Sequence, residues 1–210
     1  MSHHVVIDYG VGNLNSLLSA LDAIHFPVVL TADIEVIKAA RSIILPGVGA
    51  FGAAMDKLKE TGLVGVIKEK GAAGTPIFGI CLGMQLLFES SDEYGDHEGL
   101  GLIPGTVTQI PDTGLKIPHM GWNQLNVKQS DDPLLAEIDV TSDAVNHVYY
   151  VHSYYVQTDE ENIVATSDYG MEVPGIVRRS NVMGMQFHPE KSSDVGLGLL
   201  KGFKQLANGK

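Results

Sequence analysis

The first half of the chain alternates short apolar, β-branched runs with segments whose apolar residues recur at helical spacing. A strand-like run at His4–Tyr9 ends in a glycine turn. It is followed by a segment in which Leu14, Leu17 and Leu21 lie about one helical turn apart. Repetition of strand, turn and helix is typical of βα units, whose strands form a parallel sheet. The pattern therefore predicts an α/β fold.

The alternation of strand-like and helical segments continues along the chain. Further strands are predicted at Pro27–Thr31, Ser42–Leu45 and Pro76–Ile80, and helices at Asp33–Ala40, from about Gly52 to Lys70, and at Leu82–Glu89. Past Ser91 prolines divide the chain into shorter pieces, with strands predicted at Thr106–Ile110, His147–Val151, Ile163–Ser167, Gly175–Arg179 and Val182–Phe187, and a closing helix at Ser193–Leu206. We expect one domain over residues 1–210. Its central sheet should be mostly parallel and flanked by helices, with antiparallel strands added in the second half.

Charge and composition argue against several classes of function. The 14 basic and 25 acidic side chains give a net charge of −11, which repels nucleic-acid backbones and anionic membranes. The single cysteine excludes an internal disulfide and suits a reducing compartment. Neither a secretory signal nor an apolar run of membrane-spanning length is recognised in the sequence. We expect a cytoplasmic protein without nucleic-acid or membrane partners.

The sharpest motif is Gly79-Ile80-Cys81-Leu82-Gly83, between an apolar strand and a helical pattern. It has the G-x-nucleophile-x-G form of a nucleophile elbow, with cysteine in the central position. Such a turn is tight and strained, and it places the sulfur at a helix N-terminus, where free N–H groups favour a thiolate. The alternative is a buried structural cysteine, which is common in proteins.

A second motif, Gly184-Met185-Gln186-Phe187-His188-Pro189-Glu190, follows another strand-like run. Residues two apart in extended chain point to the same side, so Glu190 is able to orient the imidazole of His188. A lone histidine here is more often structural. Together with Cys81 the pair predicts a Cys-His-Glu triad.

The third motif is Pro46-Gly47-Val48-Gly49, directly after a predicted strand. Because small side chains let backbone amides approach a reacting centre, this loop is a candidate oxyanion strap. An ordinary βα turn is the alternative interpretation of this loop.

Five segments in this order, PGVGAFG, GICLGMQLLFES, KIPHMGWN, YYVHSYY and GMQFHPEKS, resemble the class I, triad-type glutamine amidotransferases. More narrowly, PGVGAF and IPHMGWN resemble the glutaminase subunits of imidazole glycerol phosphate synthases, which act in histidine biosynthesis. The resemblance runs from Asp8 to Lys191 and so covers most of the chain.

The resemblance implies L-glutamine as the substrate. Cys81 would attack the side-chain amide carbon, His188 would move protons, and Glu190 would orient His188. The N–H of Leu82 and one from the Val48–Gly49 peptide would hold the oxyanion. The positions that match the glutamine pocket are Gly49, Gln85, Ser153 and Tyr154.

The resemblance also implies a partner. A cyclase subunit, expected to be a (β/α)8 barrel, would form a heterodimer with this chain and receive the ammonia. The matching interface positions are Asn13, Lys116, His119, Met120, Trp122 and Lys191. For Met120 and Trp122, packing in the core is the alternative interpretation.

Two other functions stay open at this point. The chain could be a class I glutaminase for a different synthase, of the anthranilate or pyridoxal phosphate type, or a non-catalytic binding module on the same fold. We expect no metal and no cofactor, since His3 and His4 lack acidic or cysteine neighbours.

Overall fold

The computed structural model of the chain describes residues 3–141 and 146–209. Its strands are β1 His4–Ile7, β2 Val28–Thr31, β3 Ser42–Gly47, β4 Ile77–Cys81, β5 Ser90–Ser91, β6 His97–Glu98, β7 Thr106–Gln109, β8 His119–Gln124, β9 Asn126–Val127, β10 His147–His152, β11 Tyr154–Gln157, β12 Ile163–Asp168, β13 Glu172–Arg179 and β14 Val182–Met185. Its α-helices are α1 Leu14–Ala23, α2 Ile34–Lys38, α3 Phe51–Glu60, α4 Leu63–Ala72, α5 Leu82–Gln85 and α6 Ser193–Ala207. Short 3₁₀ turns cover Pro133–Leu135, Glu160–Asn162 and Pro189–Lys191.

An eight-stranded sheet in the order β2-β1-β3-β4-β14-β13-β12-β9 forms the centre of the fold. The pairs from β2 to β14 are parallel, and those from β14 to β9 are antiparallel. This confirms the predicted α/β fold with antiparallel strands added in the second half. Two smaller sheets, β10-β8 and β11-β7-β5-β6, complete the strand pairing.

Helices cover both faces of the parallel region. Val5 and Ile7 of β1 pack with α2, α3 and α4, whereas Val6, between them, packs with α1 and α6. Because alternate residues of a strand point to opposite faces, a sheet buried on both sides needs the continuous apolar runs from which these strands were predicted.

Two helices differ from their predicted bounds. The helical stretch that ends near Lys70 divides at Thr61–Gly62, where Gly62 has a φ of +71° and ends the regular helix. The helix predicted at Leu82–Glu89 ends at Gln85. The reason is that the N–H groups of Leu87 and Phe88 bind carbonyls only three residues back, and that of Glu89 binds the distant Gly105 carbonyl. The i→i−4 pattern of an α-helix therefore stops after the Leu86 N–H.

Five strands were not predicted: β5, β6, β8, β9 and β11. β8 is the one that matters for the site. Its sequence, HMGWNQ, has no β-branched residue and contains Gly121. It forms because all six residues pair with β10, from His119 opposite His152 to Gln124 opposite His147. Its pairing therefore comes from tertiary structure rather than local propensity.

Candidate active site

The carboxyl edge of the parallel sheet brings the three sequence motifs together. β3, β4 and β14 are adjacent and run in the same direction, so their following loops meet at one edge. The loop after β3 carries the Val48–Gly49 strap, β4 ends at Cys81, and β14 leads to His188. A cavity of about 340 Å³ at this edge is lined by all of these residues.

Cys81 occupies the tight turn that the G-x-C-x-G spacing predicts. Its backbone has φ 55° and ψ −115°, a strained conformation for a residue with a side chain. A Cβ at Gly79 would lie 2.6 Å from the carbonyl oxygen of Gly83, and one at Gly83 would lie 1.8 Å from that of Leu45. Only glycine therefore fits on either side of the turn. Cys81 is largely buried but lines the cavity.

His188 and Glu190 form a buried pair beside Cys81. His188 Nδ1 lies 2.8 Å from Glu190 Oε1, and the two side chains are only 4% and 3% exposed. Burial by itself lowers the pKa of His188, but hydrogen bonds and charge interactions with Cys81 and Glu190 raise it to about 9. The imidazole is therefore protonated near neutral pH. A protonated imidazole beside the sulfur is able to give a proton to a departing group.

The candidate oxyanion donors border the same space. Leu82 is the first residue of α5, and it lines the cavity together with Val48 and Gly49. Gly49 has a φ of +96°, a conformation that favours glycine. Tyr9 donates a 2.8 Å hydrogen bond from its hydroxyl to the Pro46 carbonyl and so anchors the start of the strap. Because α5 has only four residues, local N–H groups matter here more than a helix dipole.

Gln85, Ser153 and Tyr154 also line the cavity, as the resemblance implies. The amide nitrogen of Gln85 donates to the Tyr154 carbonyl at 3.0 Å and to Gln186 Oε1 at 2.9 Å. Gln186 is fully buried, and its Nε2 lies 4.0 Å from Cys81 Sγ. Gln85 therefore joins Tyr154, which lines the cavity, to Gln186 next to the sulfur.

Sequence reasoning missed four polar side chains around this cavity: Glu93, Tyr94 and His152, which line it, and Gln186 close to the sulfur. Glu93 lies in a stretch interpreted as an acidic loop. It is nevertheless 92% buried, and its Oε2 accepts from the Phe51 N–H at 2.6 Å. Burial raises the pKa of the Glu93 carboxyl even though the Phe51 N–H opposes the shift. No local pattern separates Glu93 from its solvated neighbours.

A patch of aromatic and apolar side chains lies outside the cavity on β8 and β10. Met120 is 60% exposed and Trp122 is 54% exposed, which excludes the core-packing interpretation of both. The Trp122 ring lies edge-on to Tyr149 at 6.0 Å, and Lys191 Nζ lies 5.9 Å from the centre of the Tyr149 ring. These four residues, Met120, Trp122, Tyr149 and Lys191, are called the Trp122 surface below.

The remaining interface candidates lie in different positions. Asn13 and Lys116 are exposed, Asn13 directly before α1 and Lys116 before β8. His119 is only 2% exposed and lies beneath β8 rather than on the Trp122 surface. The strand alternation explains this placement, since Met120 and Trp122 point outward and His119 points inward.

Within residues 3–141 and 146–209, no three His, Cys, Asp or Glu side chains are grouped so that they could hold a metal ion. None of the helices found there is long and apolar enough to cross a membrane.

Comparison with known proteins places the chain in a family. Residues 5–203 match the family model described as glutamine amidotransferase class-I. The chain is 50% identical over 204 residues to "Imidazole glycerol phosphate synthase subunit HisH" of Lactiplantibacillus plantarum, covering 97% of this chain and 95% of that protein. It is also 50% identical over 203 residues to the protein of the same name from Listeria monocytogenes, covering 96% and 95%.

Solved structures agree on the fold. A crystal structure described as a glutamine amidotransferase superposes with a TM-score of 0.75 at 19% identity, over 97% of this chain and 98% of that one. A structure of PurLQS from Thermotoga maritima gives a TM-score of 0.73 at 21% identity, over the whole of both chains. The match of the family model over nearly the whole chain, together with the 50% identical relatives, shows that this chain belongs to the class I glutamine amidotransferase family.

Proposed function

We propose that the chain hydrolyses L-glutamine to glutamate and ammonia, as the glutaminase subunit of an imidazole glycerol phosphate synthase. One observation carries the chemistry: the strained Cys81 faces the same cavity as a buried His188 that is bound to Glu190. The names of the 50% identical relatives support the assignment to this synthase.

The reaction divides into two steps at Cys81. The thiolate attacks the side-chain amide carbon of glutamine and forms a tetrahedral intermediate, in which the carbonyl oxygen carries the negative charge. The imidazolium of His188 then protonates the departing nitrogen, the C–N bond breaks, and a γ-glutamyl thioester remains on the sulfur. Water attacks the thioester as His188 takes its proton, which releases glutamate and restores the thiolate.

The developing oxyanion needs donors that are already in position. The N–H of Leu82 follows the nucleophile directly, as in other nucleophile elbows, and one N–H of the Val48–Gly49 peptide would supply the second hydrogen bond. The anchored start of the strap, where Tyr9 binds Pro46, supports this assignment.

Cys81 and Glu190 together raise the pKa of His188, and removal of the Glu190 carboxylate is expected to change the pH dependence of the reaction. In the Glu190→Gln variant the imidazolium loses the carboxylate that stabilises it, so the pKa of His188 falls from about 9. The basic limb of the pH profile of kcat/KM should therefore move to lower pH, because deprotonated His188 cannot protonate the leaving ammonia. Stopped-time glutamate assays across the pH range check this shift. An unchanged basic limb would exclude His188 as the group that titrates there.

Glu93 is a candidate for binding the α-ammonium group of glutamine. It is an acidic side chain that lines the cavity and is largely buried, so an opposite charge there is weakly screened. Gln85, Ser153 and Tyr154 would contact the rest of the substrate.

We expect Glu93→Gln to raise the KM for glutamine about 10- to 100-fold, the range for a lost charge-assisted hydrogen bond. Glutamine at this position keeps an oxygen to accept from the Phe51 N–H, so the packing at α3 is retained. Glutaramate, which lacks the α-ammonium group, is the control substrate. An equal loss with both substrates would mean that Glu93 does not recognise the ammonium group.

Ammonia is a nucleophile only when unprotonated, and neutral water protonates most of it. We therefore propose that a cyclase subunit, with the (β/α)8 barrel that the family resemblance implies, docks on the Trp122 surface and receives ammonia through a shielded passage. Asn13 and Lys116 would extend the contact. The exposure of two large apolar side chains beside Lys191 supports docking here, since such patches are unusual on a surface that stays in water.

Trp122→Ala is expected to weaken binding of the cyclase by at least about 30-fold, because a central tryptophan is often a hot spot worth 2 kcal/mol or more. Titration of labelled cyclase measures the affinity. Leu30→Ala is the matched control, since Leu30 is also an exposed large apolar residue but lies on the edge strand β2. Equal affinities of the two variants would exclude the Trp122 surface as the docking site.

The proposed function as a whole is tested by measuring glutamate formed from L-glutamine, first by the chain alone and then with a matching cyclase subunit and its nucleotide ligand. Strong stimulation by the pair is expected. Brisk hydrolysis without a partner would point to a different amidotransferase. The absence of hydrolysis by folded protein in both conditions would contradict the proposal.

A further inference from the structure

Two histidines, His119 and His152, lie in direct contact between the Trp122 surface and the cavity. They face each other across the β8–β10 pair, and His119 Nδ1 lies 2.9 Å from His152 Nε2. Both are largely buried, with 2% and 6% exposure. The chemistry assigned to Cys81, His188 and Glu190 uses neither ring.

The hydrogen bonds around the pair define both tautomers. His152 Nδ1 lies 2.8 Å from the Tyr154 carbonyl oxygen, which only accepts, so Nδ1 of His152 carries a proton. In a neutral ring its Nε2 then accepts, and Nδ1 of His119 must donate to it. His119 Nε2 is left to accept from the Asn123 amide, 3.1 Å away. The donors therefore all run in one direction, from Asn123 toward Tyr154.

This direction requires that both rings be neutral. Burial lowers the pKa of His119 to about 4, and burial followed by the neighbouring His119 and His188 lowers that of His152 to about 3. Packing holds the first ring in place as well. His119 is stacked between Tyr150 and Tyr169, with ring centres 4.4 and 3.9 Å away.

The two ends of the chain of hydrogen bonds lie at different sites. His119 directly precedes Met120 on β8, so any shift of the Trp122 surface moves its backbone. At the other end, the Tyr154 carbonyl accepts from both His152 and Gln85, and Gln85 continues through Gln186 to Cys81. The Ser153–Tyr154 wall of the cavity is therefore held to β8 through two imidazoles.

We propose that His119 and His152 form a positioning relay that ties the location of β8 to the Ser153–Tyr154 wall, so that docking of a partner on the Trp122 surface adjusts the glutamine pocket. The relay rests on the proposed function, because it needs both a partner and glutamine. Neither histidine acts on the substrate bond; they act through the wall that His152 and Tyr154 share.

Two substitutions of His119 separate hydrogen bonding from packing. His119→Phe keeps an aromatic ring between Tyr150 and Tyr169 but removes both nitrogens. His119→Asn loses the stacking ring but places an amide N–H near the position of Nδ1, where it is able to donate to His152. If only the packing of the ring matters, His119→Phe should be stimulated by the partner like the wild type, and His119→Asn should not.

The experiment measures glutamine hydrolysis by each full chain, alone and in complex with the cyclase subunit and its nucleotide ligand, with KM and kcat separated. For His119→Phe we expect the ratio of stimulated to basal kcat/KM to fall about tenfold, a usual size for coupling between sites. Most of the loss should be in the KM of the complex, because the relay positions the pocket wall rather than Cys81 or His188. His119→Asn should recover the ratio to within about threefold. The relay would be overturned if His119→Phe kept the wild-type ratio of stimulated to basal kcat/KM. It would also be overturned if His119→Asn lost as much of this ratio as His119→Phe.

A second readout is independent of activity. Long-range ¹H–¹⁵N spectra of the wild-type chain should show both histidines neutral and protonated at Nδ1, with assignment from the two variants. Protonation at Nε2 on either ring would overturn the relay even in an active enzyme. A wild-type complex that hydrolyses no glutamine would instead contradict the proposed function, and the spectra still test the hydrogen-bond chain by themselves.

Discussion

Cys81→Ala should reduce glutamine hydrolysis by at least about 10⁴-fold, with or without a cyclase partner, because it removes the atom that forms the covalent bond. The backbone at Cys81 is held at φ 55° by glycines on both sides that cannot be enlarged, so alanine should keep the same turn. The loss would then come from chemistry rather than from the fold. Initial rates of glutamate formation measure it.

The matched variant for this test is Cys81→Ser, which keeps a nucleophilic atom of similar size but a much weaker one. Both variants should bind the cyclase with wild-type affinity and unfold in urea near the wild-type midpoint. A glutamine analogue with an electrophilic carbon should label the wild type and leave the alanine variant unlabelled. Residual turnover of Cys81→Ala within about tenfold of the wild type would remove Cys81 from its assigned role.

His188→Asn should lower kcat by about 10²- to 10⁴-fold, the usual contribution of a positioned general acid and base. The side-chain nitrogen of asparagine lies near the position of Nδ1, so it can still donate to Glu190. This matters because Glu190 Oε2 is buried and has no hydrogen-bond partner among the described residues. A variant that removed the donor at Nδ1 would leave both oxygens of the buried Glu190 side chain without a partner and would confound activity with stability.

Single-turnover experiments show which step of the reaction has slowed in His188→Asn. Both formation and hydrolysis of the thioester should slow, since the proposed mechanism has His188 protonate the leaving nitrogen in the first step and activate water in the second. Thermal unfolding is the control for stability. A variant that forms thioester at the wild-type rate would show that another group protonates the leaving ammonia.

Most of the parallel half of the fold was predictable from sequence because β1, β3 and β4 are buried on both faces and appear as continuous apolar runs. β8 was not, because its residues have low strand propensity and are ordered by pairing with β10. The end of α5 at Gln85 was equally hidden, since the Glu89 N–H that would continue the helix binds the distant Gly105 carbonyl. In both cases the missing information is a contact between distant parts of the chain.

The residues of the active site also divide into those that local sequence predicts and those that it does not. The strained turn at Cys81 follows from local chemistry, and so does the pairing of His188 with Glu190. About half the chain lies between Cys81 and His188, and only the parallel pairing of β4 with β14 brings them to one edge. Glu93 and His152 carry no local signal, because their importance comes from burial against the cavity.

The most direct test of the central claim is to trap the covalent intermediate. The complex with cyclase and nucleotide ligand is mixed with excess isotopically labelled L-glutamine, quenched in acid within one turnover, and digested for mass spectrometry. In the wild type we expect a γ-glutamyl group on the peptide that contains Cys81, and in Cys81→Ala we expect none. In His188→Asn more of the peptide should carry the group if thioester hydrolysis slows more than thioester formation. Wild-type turnover without any label on Cys81 would contradict the account, since the glutamine would then be hydrolysed without a thioester.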